Sequence, residues 1–148
     1  MAGKMRFDDK GFSLIELMIV IAIVVVLSFI FFKNFSTSYR GRSIEKDTRT
    51  INAFLQKMRM EAFSKKKNLN IAISNNGTRL CETNGNICIQ LDNPFSSSSN
   101  VTINERGLYS SGNIHLNRVS SDASYSCVVY KVTRVRKGKW DGTNCNAL

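Results

Sequence analysis

Lys131, Arg134, Arg136, Lys137 and Lys139 crowd one short stretch near the C-terminus, with Trp140 beside them and no acid before Asp141. In a strand, side chains return to the same face every second residue, so a strand over Ser126–Val135 aims Arg134 and Arg136 to one side. Two guanidinium groups at that spacing can each grip a phosphate through a forked pair of hydrogen bonds. Trp140 can stack on a base or a sugar. Gly138 then turns the chain and presents Lys137 and Lys139 at a loop tip. These are the means of sequence-independent DNA binding. The chain as a whole agrees in sign, with a net charge of +10 over 148 residues, an excess that suits an anionic partner such as nucleic acid or a lipid surface. The competing reading is a solvated cationic edge that keeps strands from pairing with other chains.

Other chemistry finds little support. His115 is the only histidine and sits in an alternating segment as a sheet residue. The serines lie in loops without a nucleophile elbow. No glycine-rich phosphate loop and no paired carboxylates occur. Without CxxC spacing or clustered histidines, no zinc site is expected. The chain is therefore expected not to be an enzyme and to need no cofactor.

The elements that must position the cationic stretch read as one helix followed by strands. Ile44, Ile51, Phe54, Leu55, Met58 and Ala62 recur at helical steps. Charges fill the opposite side, and Glu45–Arg49 is an i,i+4 pair. The spacing predicts an amphipathic helix over about Ser43–Lys66, ended by Lys65-Lys66-Lys67, where cations suit the C-terminal dipole. A polar, partly flexible junction precedes it at Lys33–Arg42. Beyond it, residues 69–148 read as β-rich. Leu69–Ile73 alternates and Asn75-Asn76-Gly77 supplies a turn. Arg79–Glu82 and Ile87–Leu91 flank a second turn at Thr83–Asn86. Asn93–Ser99 reads as a loop, and Val101–Asn104, Ile114–Val119 and Ser126–Val135 as further strands.

Cys81, Cys88, Cys127 and Cys145 in so small a domain point to disulfides and an oxidising compartment, with three connectivities open. Cys81 and Cys88 flank a turn and can face each other across paired strands. Cys127 and Cys145 bracket the basic stretch. The favoured pairs are therefore Cys81–Cys88 and Cys127–Cys145, the second contributing ~3 kcal/mol in the chain-entropy model.

At the other end, an apolar run from Phe12 to Phe32 is closed by Lys33 and holds one ionisable residue, Glu16. About 20 apolar residues as helix cross a bilayer, so this run is expected to be a membrane helix. A secretory signal has a shorter apolar region followed by a small-residue cleavage site. Here the small residue, Gly11, stands in front. The string Gly11-Phe12-Ser13-Leu14-Ile15-Glu16, behind the short basic segment Met1–Lys10, resembles the class III leader of type IV prepilins. That resemblance implies cleavage by a prepilin peptidase between Gly11 and Phe12 and methylation of the new Phe12 amine. It also implies that the carboxylate of Glu16 pairs with a neighbouring subunit's terminal amine in a filament. Both charges leave water only when paired, which favours correct register.

Met58-Arg59-Met60-Glu61-Ala62 ahead of a strand resembles the helix end of GspH/FimT minor pilins and pseudopilins. Arg134-Val135-Arg136 is similar to the Gly-Arg-x-Arg motif of DNA-binding FimT proteins, with Thr133 in the place of the glycine. The resemblance implies an α+β fold of type IV pilin kind, with a long N-terminal helix packed on antiparallel sheet. Expected divisions are a leader at 1–11, a membrane and filament-core helix at 12–32, and a periplasmic or extracellular domain at 33–148. Expected partners are the prepilin peptidase, other major and minor pilins, the inner membrane and DNA. The implied function is a minor pilin that binds extracellular DNA for natural transformation. The alternatives are a GspH-like pseudopilin of type II secretion, and a pilus-priming minor pilin that does not touch DNA.

Overall fold

Every buried apolar position of the predicted amphipathic helix faces one core, and the strands close over it. The computed structural model describes residues 13–83 and 87–148, without the side chains of 30–37. The expected leader, Phe12 and most of the turn before Ile87 lie outside the described residues. Helix α1 spans Leu14–Lys65. The expected junction at 33–42 is helical throughout, because nothing in it interrupts the backbone ladder: the chain's one proline is Pro94. The chain divides into two compact units, Met1–Ser36 and Thr37–Leu148.

In the first unit, the large apolar side chains from Leu14 to Phe29 are exposed. Among the described residues, no helix is long and apolar enough to cross a membrane. The first residue of the apolar run and its last three side chains fall outside them.

In the second unit, α1 buries Ile44, Ile51, Phe54, Leu55, Met58 and Ala62 against two antiparallel sheets. This is an α+β arrangement consistent with the type IV pilin fold. The helix stops where Lys66 turns left-handed at φ 50 and the Lys67 N–H returns to the Ala62 carbonyl across 3.2 Å. That geometry satisfies carbonyls left over at a helix end.

The first sheet holds β1 (Leu69–Ser74), β2 (Arg79–Glu82), β3 (Cys88–Gln90) and β5 (Val101–Ile103), in the order β3-β2-β1-β5. The second holds β4 (Phe95–Ser97), β6 (Gly112–Leu116), β7 (Cys127–Lys131), β8 (Arg134–Trp140) and β9 (Cys145–Ala147), in the order β4-β6-β7-β8-β9. Alternation is visible in burial: Val128 and Tyr130 of β7 are fully buried while Lys131 is exposed. Phe95, Ile114, Val128 and Tyr130 of the second sheet share one core with Leu80, Val101 and Ile103 of the first.

Three expectations need correction. Asn93–Ser99 is not all loop, because Phe95–Ser97 pairs with β6 and Phe95 is fully buried. Ile114–Val119 shifts to Gly112–Leu116. Ser126–Val135 is not one strand. It is β7, a two-residue turn at Val132-Thr133, and the start of β8, with Lys131 opposite Arg134.

Two polar links seat the sheets on the helix. Asp47 is buried, and its carboxylate accepts the backbone N–H of Asp92 at 3.0 Å and of Asn93 at 2.8 Å, and the Asn93 side-chain amide at 2.8 Å. Tyr109 donates its hydroxyl to the Leu55 carbonyl at 2.9 Å, and burial pushes its pKa up to about 12. Cys81 is bonded to Cys88 and Cys127 to Cys145, leaving no free thiol.

Candidate nucleic-acid interface

The β7–β8 hairpin organises the cationic stretch. Val135 faces Tyr130 in register and packs against the core, so Arg134 and Arg136 must point away from it. Arg136 lies opposite Val129 and Arg134 opposite Lys131. Lys131, Arg134 and Arg136 therefore share the outer face of the second sheet, at its hairpin end, and all three are exposed. The turn needs no glycine at Thr133, since neither Val132 nor Thr133 has positive φ. That removes the structural reason for a glycine there.

The other expected members of the site go elsewhere. Gly138 does not turn the chain. It lies inside β8, where a Cβ would stand 2.4 Å from the Asn146 carbonyl oxygen of β9. Lys137 and Lys139 are therefore strand residues, not a loop tip. The Lys137 ammonium lies 4.5 Å from the centre of the Tyr125 ring and is half-buried. Lys139 is exposed opposite Asn146. One face of the half-buried Trp140 is taken by His115, whose ring lies 3.9 Å away and 17° from parallel. His115 Nδ1 sits 2.9 Å from Asn113 Oδ1, and burial lowers the imidazole pKa.

In place of these residues the fold brings in two arginines from distant segments. Arg59 of α1 donates to the Thr133 carbonyl at 2.8 Å, and its guanidinium carbon lies 5.8 Å from the centre of the Tyr109 ring. Arg106, in the β5–β6 connection, is exposed. A groove of about 600 Å³ is lined by Arg59, Arg106, Arg134 and Arg136 together with Met60 and Phe63. The ion pairs among the described residues are Lys46–Asp92, Arg49–Glu45 and Lys65–Glu61. None of the four groove arginines takes part in one. Such a concentration of one sign, with Lys131 directly opposite Arg134, works against folding, since like charges facing each other across strands destabilise.

Sequence spacing draws neither Arg59 nor Arg106 to the site. Arg59 stands 47 positions before Arg106 and 75 before Arg134, and no spacing rule joins them, because the meeting is made by the β5–β6 connection and the hairpin. Among the described residues, no His, Cys, Asp or Glu cluster could hold a metal ion. Of the residues expected to act in processing and assembly, Gly11 and Phe12 lie outside the described residues. Glu16 is exposed in the first turn of α1, where the helix N-terminus favours a carboxylate.

Residues 6–32 match the family model of the prokaryotic N-terminal methylation motif. No curated protein and no solved structure matches the chain. The motif, which runs into the first half of the helix whose second half packs on antiparallel sheets, supports a type IV pilin-like protein that is anchored in the membrane and assembled with other pilins.

Proposed function

We propose that this chain is a minor type IV pilin that binds extracellular DNA through its β7–β8 hairpin during natural transformation. The observation that carries the reading is the juxtaposition of Arg134, Arg136, Arg59 and Arg106 along one groove without an ion-pair partner among the described residues. The guanidinium groups of Arg106, Arg134 and Arg136 are exposed and contribute little to folding, and the Lys131–Arg134 juxtaposition opposes it. A polyanion that neutralises them gives the arrangement a function. Phosphate contacts carry no sequence information, so any DNA of sufficient length serves as ligand.

Processing and assembly follow from the N-terminal motif. A prepilin peptidase cuts between Gly11 and Phe12 and methylates the amine of Phe12. Glu16 of one subunit then neutralises that amine on a neighbour. Cleavage also removes Lys4, Arg6 and Lys10 together with Asp8 and Asp9, so the mature chain keeps nearly all of its basic excess. The exposed apolar face from Leu14 to Phe29 is covered first by the inner membrane and then by neighbouring subunits, with the second unit displayed on the periplasmic side and later on the cell surface.

The test is binding of the full chain, held in a non-ionic detergent, to random-sequence duplex DNA at physiological salt. The expected dissociation constant is on the order of 10⁻⁵ M, unchanged when the base sequence is permuted. Absence of binding at ten times that concentration points instead to a structural pilin or a secretion pseudopilin.

A further inference from the structure

The groove between α1 and the β7–β8 hairpin contains more than cations. Phe63 is 54% exposed and Met60 is 69% exposed, and both line it beside the arginines. Lys66 places its ammonium 4.1 Å from the centre of the Phe63 ring. Exposed apolar side chains on an otherwise cationic surface have no use for a DNA duplex, whose outer face is phosphate and sugar. They are also not needed by the core, which α1 fills with Ile51, Phe54, Leu55, Met58 and Ala62. An aromatic ring flanked by cations is, by contrast, the arrangement that holds single strands: charge tracks the backbone while unstacked bases lie on the ring.

Size points the same way. A groove of about 600 Å³ falls in the range of pockets that enclose small molecules and has room for one or two nucleotides, not for a double helix. The Arg59 hydrogen bond to the Thr133 carbonyl holds the hairpin against the helix and so keeps the two walls in place.

We infer that this groove takes a segment of single-stranded nucleic acid, with a base on the Phe63 ring and its phosphates on Arg59, Arg106, Arg134 and Arg136. The inference rests on the DNA-binding reading above and specifies its substrate. A duplex reaches the cations along the rim of the groove, whereas a single strand enters it and reaches the ring as well. Single strands therefore bind more tightly than duplex of equal length, and the difference resides in Phe63.

The experiment compares a labelled oligothymidylate with a duplex of the same length, titrated with the full chain in a non-ionic detergent. Three variants are compared with the parent chain: Phe63→Leu, Phe63→Tyr and Arg134→Gln/Arg136→Gln. Phe63→Leu should weaken single-strand binding about tenfold, the loss of one stacked base, and leave duplex binding within about twofold. Phe63→Tyr, which keeps the ring, should retain parent affinity. The double arginine variant should weaken both ligands. Equal affinity of the parent for both ligands, with no effect of Phe63→Leu, overturns the inference while leaving DNA binding intact. Displacement of the oligonucleotide by polyglutamate of equal charge as readily as by unlabelled oligothymidylate also overturns it, since that polyanion has no bases. Failure of the parent to bind either nucleic acid overturns both readings.

Discussion

Arg59 donates a 2.8 Å hydrogen bond to the carbonyl oxygen of Thr133, and that bond ties α1 to the turn of the β7–β8 hairpin. Gly107 stands against the same side chain: at φ 73, a Cβ there would lie 3.3 Å from Arg59 Cγ. Arg59→Lys keeps the charge and loses the planar fork. It should lower stability by about 1 kcal/mol, which at this chain length moves the thermal midpoint by a few degrees. DNA affinity should fall although net charge is unchanged. An unaltered midpoint together with unaltered affinity would show that the bond does not organise the site.

Gly41→Ala should destabilise, although the same change in an exposed helix ordinarily stabilises by about 1 kcal/mol. The added Cβ would meet the Asp122 carbonyl oxygen at 2.3 Å, and backbone cannot swing aside as a side chain can. A loss of roughly 2 kcal/mol in denaturant unfolding is expected, typical of overpacking. A gain in stability would show that the β6–β7 connection does not press on the helix at this point.

The His115–Trp140 stack should make the fluorescence of the chain's only tryptophan depend on pH. Burial lowers the His115 pKa below its ordinary 6.5. Above pH 6.5 the imidazole is neutral in folded and unfolded chains alike, and its contribution to stability is fully present. As pH falls below 6.5, the unfolded chain takes up the proton first, so that contribution is lost progressively down through the folded pKa. A fluorescence titration should show a midpoint below 6.5 that disappears in His115→Gln. A midpoint at or above 6.5 would contradict the stacked, half-buried placement.

Glu16→Ala should leave membrane insertion intact, because it removes a charge that is costly in an apolar run, yet reduce incorporation into filaments. Comparing the amount of the variant in membranes and in sheared filaments checks this. Normal incorporation would rule out pairing between Glu16 and a neighbour's terminal amine.

Much of the fold was legible because burial follows periodicity. The apolar positions Ile44, Ile51, Phe54, Leu55, Met58 and Ala62 are spaced for one helical face, and that face is buried. Leu69–Ser74 alternates and is β1. The hairpin at Val132-Thr133 was not legible, because two β-branched residues without Gly, Asn or Asp carry no turn signal and read as continuing strand. That concealed turn reassigned Gly138, Lys137 and Lys139 from a loop tip to β8, and Trp140 from a free ring to a partner of His115. Phe95–Ser97 was hidden by a serine tract that resembles a loop until Phe95 is seen in the core. Arg59 and Arg106 could not be joined to the site from spacing, since tertiary packing alone brings them to the hairpin. Buried Asp47 was hidden for a related reason: on a helical wheel it is one more charge, and only the β3–β4 connection supplies the N–H groups it accepts.

The most direct measurement is the salt dependence of duplex DNA binding by the full chain, for the parent, Arg134→Gln/Arg136→Gln and Arg79→Gln/Arg118→Gln. All four positions are exposed, and each double variant removes the same charge, but Arg79 and Arg118 do not line the groove. Each phosphate contact contributes roughly 0.9 to the slope of log affinity against log salt. The Arg134/Arg136 variant should therefore flatten the slope by up to about two units, while the Arg79/Arg118 variant stays close to the parent. Equal flattening in both variants would contradict a defined site on the hairpin, leaving only a diffuse attraction to a basic surface.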